Sequence, residues 1–195
     1  LFATSGAGKS FLVKLEVLRS MMFGTDIIII DPEREYKNLC DAVGGTYINI
    51  SLNSESKVNP FDLPRRIGEM DTQDIIRSSI ITLKGLLRLM IGKVTFKEDS
   101  IIDEAIKQTY AKKDITGDAD LENIEPPIMQ DLEEILEGME GTEDLAIRMR
   151  KFTTGTFSGL FNAHTNVDMA NQLIVFSVRD LEDDLKPMAI YNIIN

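Results

Sequence analysis

The sequence predicts an α/β fold with a mainly parallel sheet, interrupted by an all-helical insertion. Residues Leu1 to Ile30 read as strand, glycine-rich loop, helix and strand, and Leu173 to Val178 is a second apolar run of strand length. Between about Leu63 and Phe152, strand signals vanish and apolar residues recur at helical spacing. The expected organisation is a first α/β part over residues 1–62, a helical insertion over 63–152, and a return to the α/β core over 153–195. A chain of 195 residues, 43% hydrophobic and 27% charged, is long enough to bury one substantial core.

Taken in order, Leu1-Phe2-Ala3 reads as the end of a buried strand and Phe11 to Met22 as a helix. The four isoleucines Ile27 to Ile30 form a strand expected to be covered on both faces. Asp31-Pro32 ends that strand, Tyr36 to Val43 is a short helix stopped by Gly44-Gly45, and Thr46 to Ile50 alternates as a strand. In the insertion, Asp71-Thr72 caps a helix reaching Ile91, and a second helix runs from about Asp99 to Ala111. Pro126-Pro127 is placed in the first turn of a helix through Leu136, and a fourth helix spans Glu143 to Thr153. A glycine-punctuated turn region over Gly155 to Phe161 and the strand Leu173 to Val178 precede a final helix from about Leu185.

The composition and the residue types present exclude several functions. A formal net charge of −11 opposes binding of a polyanion across the general surface, although a local basic lining stays compatible with it. Cys40 and His164 are the only residues of their types, so neither an internal disulfide nor a Cys/His zinc cluster can form, and a reducing cytoplasm fits. The apolar stretch Ile75 to Ile91 carries Arg77, Lys84 and Arg88, which makes spanning a bilayer costly. The acidic run Asp118, Asp120, Glu122 fails as a calcium loop, because Asn123 stands where glycine is needed and Met129 where glutamate is needed. Ser158 sits one residue out of the nucleophile-elbow pattern, and His164 reads as a loop residue with satisfied hydrogen bonds. Ile101-Ile102-Asp103-Glu104-Ala105 imitates a Walker B strand, but its neighbours continue a helix, so its acids are read as a solvated helix face.

Chemistry concentrates in Ser5-Gly6-Ala7-Gly8-Lys9-Ser10, entering a helix at Phe11. Glycines let successive backbone N–H groups turn inward around phosphate oxygens, a lysine meets the terminal phosphates, and a hydroxyl meets Mg²⁺. This is a P-loop with one mismatch, since the strict pattern has glycine where Ala3 stands. ATP and Mg²⁺ are the expected ligands; Ser5, Gly6, Ala7, Gly8, Lys9, Ser10 and Phe11 form the nucleotide site, and Ser10 is a metal ligand.

A second constellation, Asp31-Pro32-Glu33-Arg34-Glu35-Tyr36, lies at the carboxyl end of the following strand, where open α/β sheets place ligands. Asp31 is a candidate metal ligand, and Glu33 and Glu35 are candidates to face the attacking water, Glu35 the better placed. The alternative is that the two glutamates stabilise the N-terminus of the next helix through its dipole, by about 0.3–1 kcal/mol each. Arg179, after the Val175-Phe176-Ser177-Val178 strand, is a candidate arginine finger, with a salt bridge to Asp180, Asp183 or Asp184 as the competing reading. Arg148 and Arg150 are weaker finger candidates.

The P-loop and the Asp31 segment, followed by Asn59-Pro60-Phe61-Asp62-Leu63, resemble the conjugative-transfer and type IV secretion ATPases of the TraC/TrbE kind, in the HerA–FtsK superfamily. Gly155-Thr156-Phe157-Ser158-Gly159-Leu160-Phe161-Asn162 and Thr165-Asn166-Val167-Asp168 extend the resemblance over nearly the whole chain. It implies a three-layer, RecA-like P-loop core with a helical insertion, assembling as a hexamer. It also implies ATP hydrolysis that energises pilus assembly or substrate transfer, at the cytoplasmic face of the inner membrane and alongside other secretion subunits. In the family the Walker B element lies in a strand after the point where this chain ends, so the chain reads as an incomplete domain. The family also usually has glycine where Arg34 stands. Two rivals share the phosphate site: a DNA-pumping translocase, which needs a basic pore, and a nucleotide-binding assembly subunit that does not hydrolyse.

Overall fold

The computed structural model describes residues 8–64, 71–117, 119, 121 and 124–195. They fall into two compact units, Leu1–Ser51 with Val167–Glu182, and Leu52–Asn166 with Asp183–Asn195. The borders expected at residues 62/63 and 152/153 therefore lie inside the second unit, for reasons that appear in its hydrogen bonding below.

The first unit contains α1 (Lys9–Met22), β1 (Ile27–Asp31), α2 (Lys37–Val43), β2 (Thr46–Asn49) and β3 (Leu173–Ser177). The strand expected at Leu1-Phe2-Ala3 lies outside the described residues. The described strands form a parallel sheet in the order β1-β3-β2, with Asp31, Ser177 and Asn49 aligned across its carboxyl end. Strand alternation sends Ile27 and Ile29 into a cluster with Val17, Cys40, Leu173 and Val175. It turns Ile28 to the opposite face, where, on an edge strand of the described sheet, it is 56% exposed. The expectation that β1 is covered on both faces does not hold at that residue. Central β3, flanked by strands on both sides, is buried throughout.

Gly44 ends α2 in the left-handed conformation, φ 71°, and Gly45 donates to the carbonyl of Cys40 at 2.9 Å. A Cβ on Gly45 would lie 2.8 Å from the carbonyl oxygen of Leu173 and 2.9 Å from Cys40 Sγ. The glycine pair thus stops the helix and admits the close approach of β3.

The second unit holds α3 (Thr72–Ile91), α4 (Phe96–Ala111), α5 (Met129–Glu137), α6 (Glu143–Thr153), the single turn α7 (Ser158–Phe161) and α8 (Lys186–Ile194). Asp71 caps α3 by accepting from Gln73 N at 3.4 Å. Helix α4 starts at Phe96, ahead of the expected Asp99, because Thr95 and Glu98 form a reciprocal capping box, with Glu98 N donating to Thr95 Oγ1 at 3.2 Å and Thr95 N to Glu98 Oε2 at 2.6 Å. Pro126 and Pro127 precede α5 and lie outside its first turn. The helix begins only after Ile128, whose N–H donates to Asp131 Oδ2 at 2.9 Å. Asp103 and Glu104 lie on α4, paired with Lys84 and Lys107 and with Gln108, so the Walker B imitation is a helix face.

The Asn59-to-Leu63 segment belongs to this helical unit because its polar groups are satisfied there. Asn59 is buried, donates to the carbonyl of Pro127 at 2.9 Å and accepts from Phe61 N at 3.1 Å. The Phe61 ring meets Tyr110 edge-on at 5.6 Å. The Thr165 hydroxyl donates to Asp62 and accepts from Asn59 N at 2.7 Å, while Asn166 accepts from Lys57 N at 2.8 Å. The two segments singled out by resemblance, near residues 59 and 165, are therefore stitched to one another. His164 lies in a loop with Nε2 3.6 Å from the Glu125 carboxylate.

Candidate functional site

The site lies in the first unit, at the carboxyl end of its sheet. Ser5, Gly6 and Ala7, expected to line the phosphates, lie outside the described residues. Gly8 precedes α1 with φ 77°, a left-handed conformation natural to glycine. Its carbonyl accepts from Leu12 N at 3.0 Å, and among the described residues no side chain caps the amides of the first turn. An uncapped N-terminus carries partial positive charge and free N–H donors, the arrangement that receives phosphate. Lys9 is exposed and Ser10 half-buried at this end, and Phe11 is 68% exposed.

The loop leaving β1 folds back around one buried carboxylate. Asp31, 1% exposed, accepts from Glu33 N at 3.3 Å and Glu35 N at 3.1 Å through Oδ1, and from Tyr36 N at 2.9 Å through Oδ2. Three amides on one carboxylate organise the loop much as an N-cap organises a helix start, and the carboxylate oxygens are largely occupied by them. The sequence pointed to Asp31 as a metal ligand; its contacts in the structure are those of a loop organiser.

The loop carries Glu35 back to α1, where the Ser10 hydroxyl donates to Glu35 Oε2. Lys14, one turn further along α1, places its ammonium 5.4 Å from the centre of the Tyr36 ring. Burial pushes the Tyr36 hydroxyl above its ordinary pKa, and the charges of Glu35 and Asp31 add to the effect. Of the two glutamates, then, Glu35 meets the P-loop helix. Glu33 is exposed and contributes its carbonyl oxygen, which accepts from Arg179 Nη1 at 3.4 Å.

Arg179 therefore reaches a backbone carbonyl of the same loop. Asp180 pairs with Arg34, a residue given no role in the sequence reading, and also accepts from Asn49 Nδ2 at 3.4 Å. Arg34 has φ 63°, so its backbone occupies the left-handed region that favours glycine. The glycine usual at this position in the resembling family was the sequence signal for this geometry. Asn49 carried no comparable signal. Arg148 and Arg150 are engaged inside the second unit, Arg148 with Glu98 and the carbonyl of Lys93, and Arg150 with Glu133 and Glu137.

A helix start, a hydroxyl and a carboxylate brought together, and an arginine nearby are the described parts at this end of the sheet. All 195 residues of the chain match the family model described as the TraG P-loop domain. The chain belongs to that family. Its structure is similar to that of VirB4 of Thermoanaerobacter pseudethanolicus, with a TM-score of 0.84 and 31% identity, over 98% of this chain and 53% of that one. The chain thus spans about half the length of that relative. No curated protein matches the chain. The mixed α/β architecture with a parallel sheet and many helices is that of the VirB4 P-loop fold, and the recognition of a conjugation and type IV secretion P-loop domain stands. Among the described residues no helix is long and apolar enough to cross a membrane, and no group of three or more His, Cys, Asp or Glu side chains is placed to hold a metal ion.

Proposed function

We propose that this chain is the nucleotide-binding core of an ATPase that energises pilus assembly or substrate transfer in a conjugation or type IV secretion machine. The observation that carries the reading is the hydrogen bond from Ser10 to Glu35, which joins the P-loop hydroxyl to a carboxylate from the next strand's exit loop. Both are hard oxygen donors, the type Mg²⁺ prefers, so the residues present fit a magnesium nucleotide. In this reading Gly6, Gly8 and Lys9 hold the terminal phosphates and Ser10 holds the metal, which when bound neutralises phosphate charge.

Glu35 is proposed to orient the attacking water, because its carboxylate stands beside the P-loop hydroxyl and its backbone is fixed by Asp31. Asp31 in this reading acts on the geometry of the loop. Glu33, further out, shapes the edge of the site through its carbonyl. Arg179 stands at the rim with one long hydrogen bond among the described residues, and in this reading it reaches a phosphate on a neighbouring subunit of a hexamer. Assembly with other secretion subunits at the cytoplasmic face of the membrane belongs to the same proposal.

The deciding experiment is calorimetric titration of full-length protein with ATP and Mg²⁺, run beside a phosphate-release assay. Binding with release supports the motor. Binding without release selects a nucleotide-binding assembly subunit, and release that depends on DNA selects a translocase.

A further inference from the structure

Asp180 lies at the exit of the central strand and touches the exits of both neighbours. It pairs with Arg34 on the loop after β1 and accepts from Asn49 at the end of β2. Arg34 and Asp180 are 146 residues apart in the chain, and both are partly exposed, with side-chain exposures of 40% and 43%. Arg34 stands between Glu33 and Glu35 in a left-handed conformation that disfavours any side chain with a Cβ. Asp31 binds the amides on either side, those of Glu33 and Glu35, but Arg34 N makes no bond to it. The carboxylate of Asp31 thus holds the loop from inside, and the Arg34 side chain ties its crest to Asp180 beyond β3, next to the longer hydrogen bond from Arg179 to the Glu33 carbonyl.

We propose that Arg34 and Asp180 form a latch that positions Glu35 against Ser10, acting through the loop and not on the substrate. The proposal rests on the ATPase reading for its consequence in turnover, and on geometry alone for its consequence in loop order. Since Asn49 steadies Asp180, the anchor is fixed from β2 and β3 together, and the loop after β1 is what it restrains. An arginine at this position supplies a tether that glycine lacks, at the expense of backbone comfort.

The test uses full-length protein carrying Arg34→Gly, Asp180→Asn, or both. Arg34→Gly removes the tether and relieves the left-handed backbone, so it separates the latch from folding. Amide exchange without nucleotide should quicken about fivefold at Glu35 and Tyr36 in either single variant, the scale of a partly exposed ion pair. ATP turnover should show kcat lowered about fivefold with KM for ATP changed less than about twofold, and the double variant should be no worse than the poorer single one. A general structural lesion would move KM and thermal stability together and would not give this split. Exchange at Glu35 and Tyr36 unchanged in both single variants overturns the latch. If the wild-type protein turns over no ATP, the ATPase reading fails, while the exchange measurement still decides the latch.

Discussion

Ser10 and Glu35, 25 residues apart in the chain, meet in a hydrogen bond from the serine hydroxyl to the glutamate carboxylate. The contact joins the first turn of α1 to the loop leaving β1, and it brings a side chain that can orient water to the hydroxyl expected at the metal. Of the two readings open for Glu33 and Glu35, helix stabilisation or catalysis, the proposed function assigns the chemical role to Glu35.

Replacement of Glu35 by glutamine keeps the shape of the side chain and removes its charge. ATP turnover of the full-length protein is expected to fall by about 10²-fold or more, the scale of a lost general base, with nucleotide binding retained. Phosphate release and calorimetric titration on the same preparation check both halves.

Lys9→Ala removes the cation that compensates phosphate charge in the ground and transition states. Turnover in the full-length protein is expected to be lost and nucleotide affinity weakened. A variant with wild-type turnover sinks the phosphate-binding role of Lys9.

Asp31→Asn leaves three loop amides facing a buried side chain that offers one carbonyl oxygen and an NH₂ group of the wrong polarity. The expected loss of stability is about 1–3 kcal/mol, measured by chemical denaturation. An unchanged denaturation midpoint removes Asp31 as the organiser of the loop.

Stability should fall on acidification. In the second unit the hydrogen bonds from Arg88 and Lys84 hold the Asp99 carboxyl below its ordinary pKa, and Lys107 does the same for Asp103. The Thr95 cap lowers Glu98, and Lys112 lowers Glu134. Groups depressed in the folded state stabilise it above their unfolded pKa values, and that contribution is lost as pH drops through the folded ones. Asp62, raised by burial, has the opposite sign: it favours the folded state at low pH, and this is lost as pH rises through its folded value. With Asp183, which Lys186 holds below its ordinary pKa, five depressed groups stand against one raised group, so the melting temperature should decline between about pH 5 and pH 2. Asp99→Asn should flatten the decline, and a profile identical to wild type refutes the assignment.

Gly155→Ala would place a Cβ 2.8 Å from the carbonyl oxygen of Arg150 and 2.9 Å from Lys151 Cα. Both are backbone atoms, so the turn after α6 must shift, at a cost of about 1–3 kcal/mol. Thermal denaturation of the variant measures it.

Elements governed by near neighbours were readable from the chain. Asp71 caps α3, Glu143 to Thr153 forms α6 and Gly44 stops α2, each within a residue of its expected place, because a cap or stop signal acts over one turn. The start of α4 was readable too, in Thr95 and Glu98, but the apolar spacing drew attention three residues downstream. The Pro126-Pro127 pair misled because proline suits a first turn and also the extended approach to one, and Asp131 places the start at the latter.

The sequence alone was enough for the P-loop, the α/β alternation and the helical character of the middle of the chain, since these depend on residue type and spacing over a few positions. Only the tertiary structure could bring Glu35 to Ser10, Asp180 to Arg34 and Thr165 to Asp62. The meeting of Asp180 with Arg34 depends on strand order: β3, from the far end of the chain, enters between β1 and β2 and aligns Ser177 with Asp31 and Asn49. Parallel pairing across so many intervening residues leaves no local pattern, because the hydrogen bonds that set the register are backbone groups common to every residue.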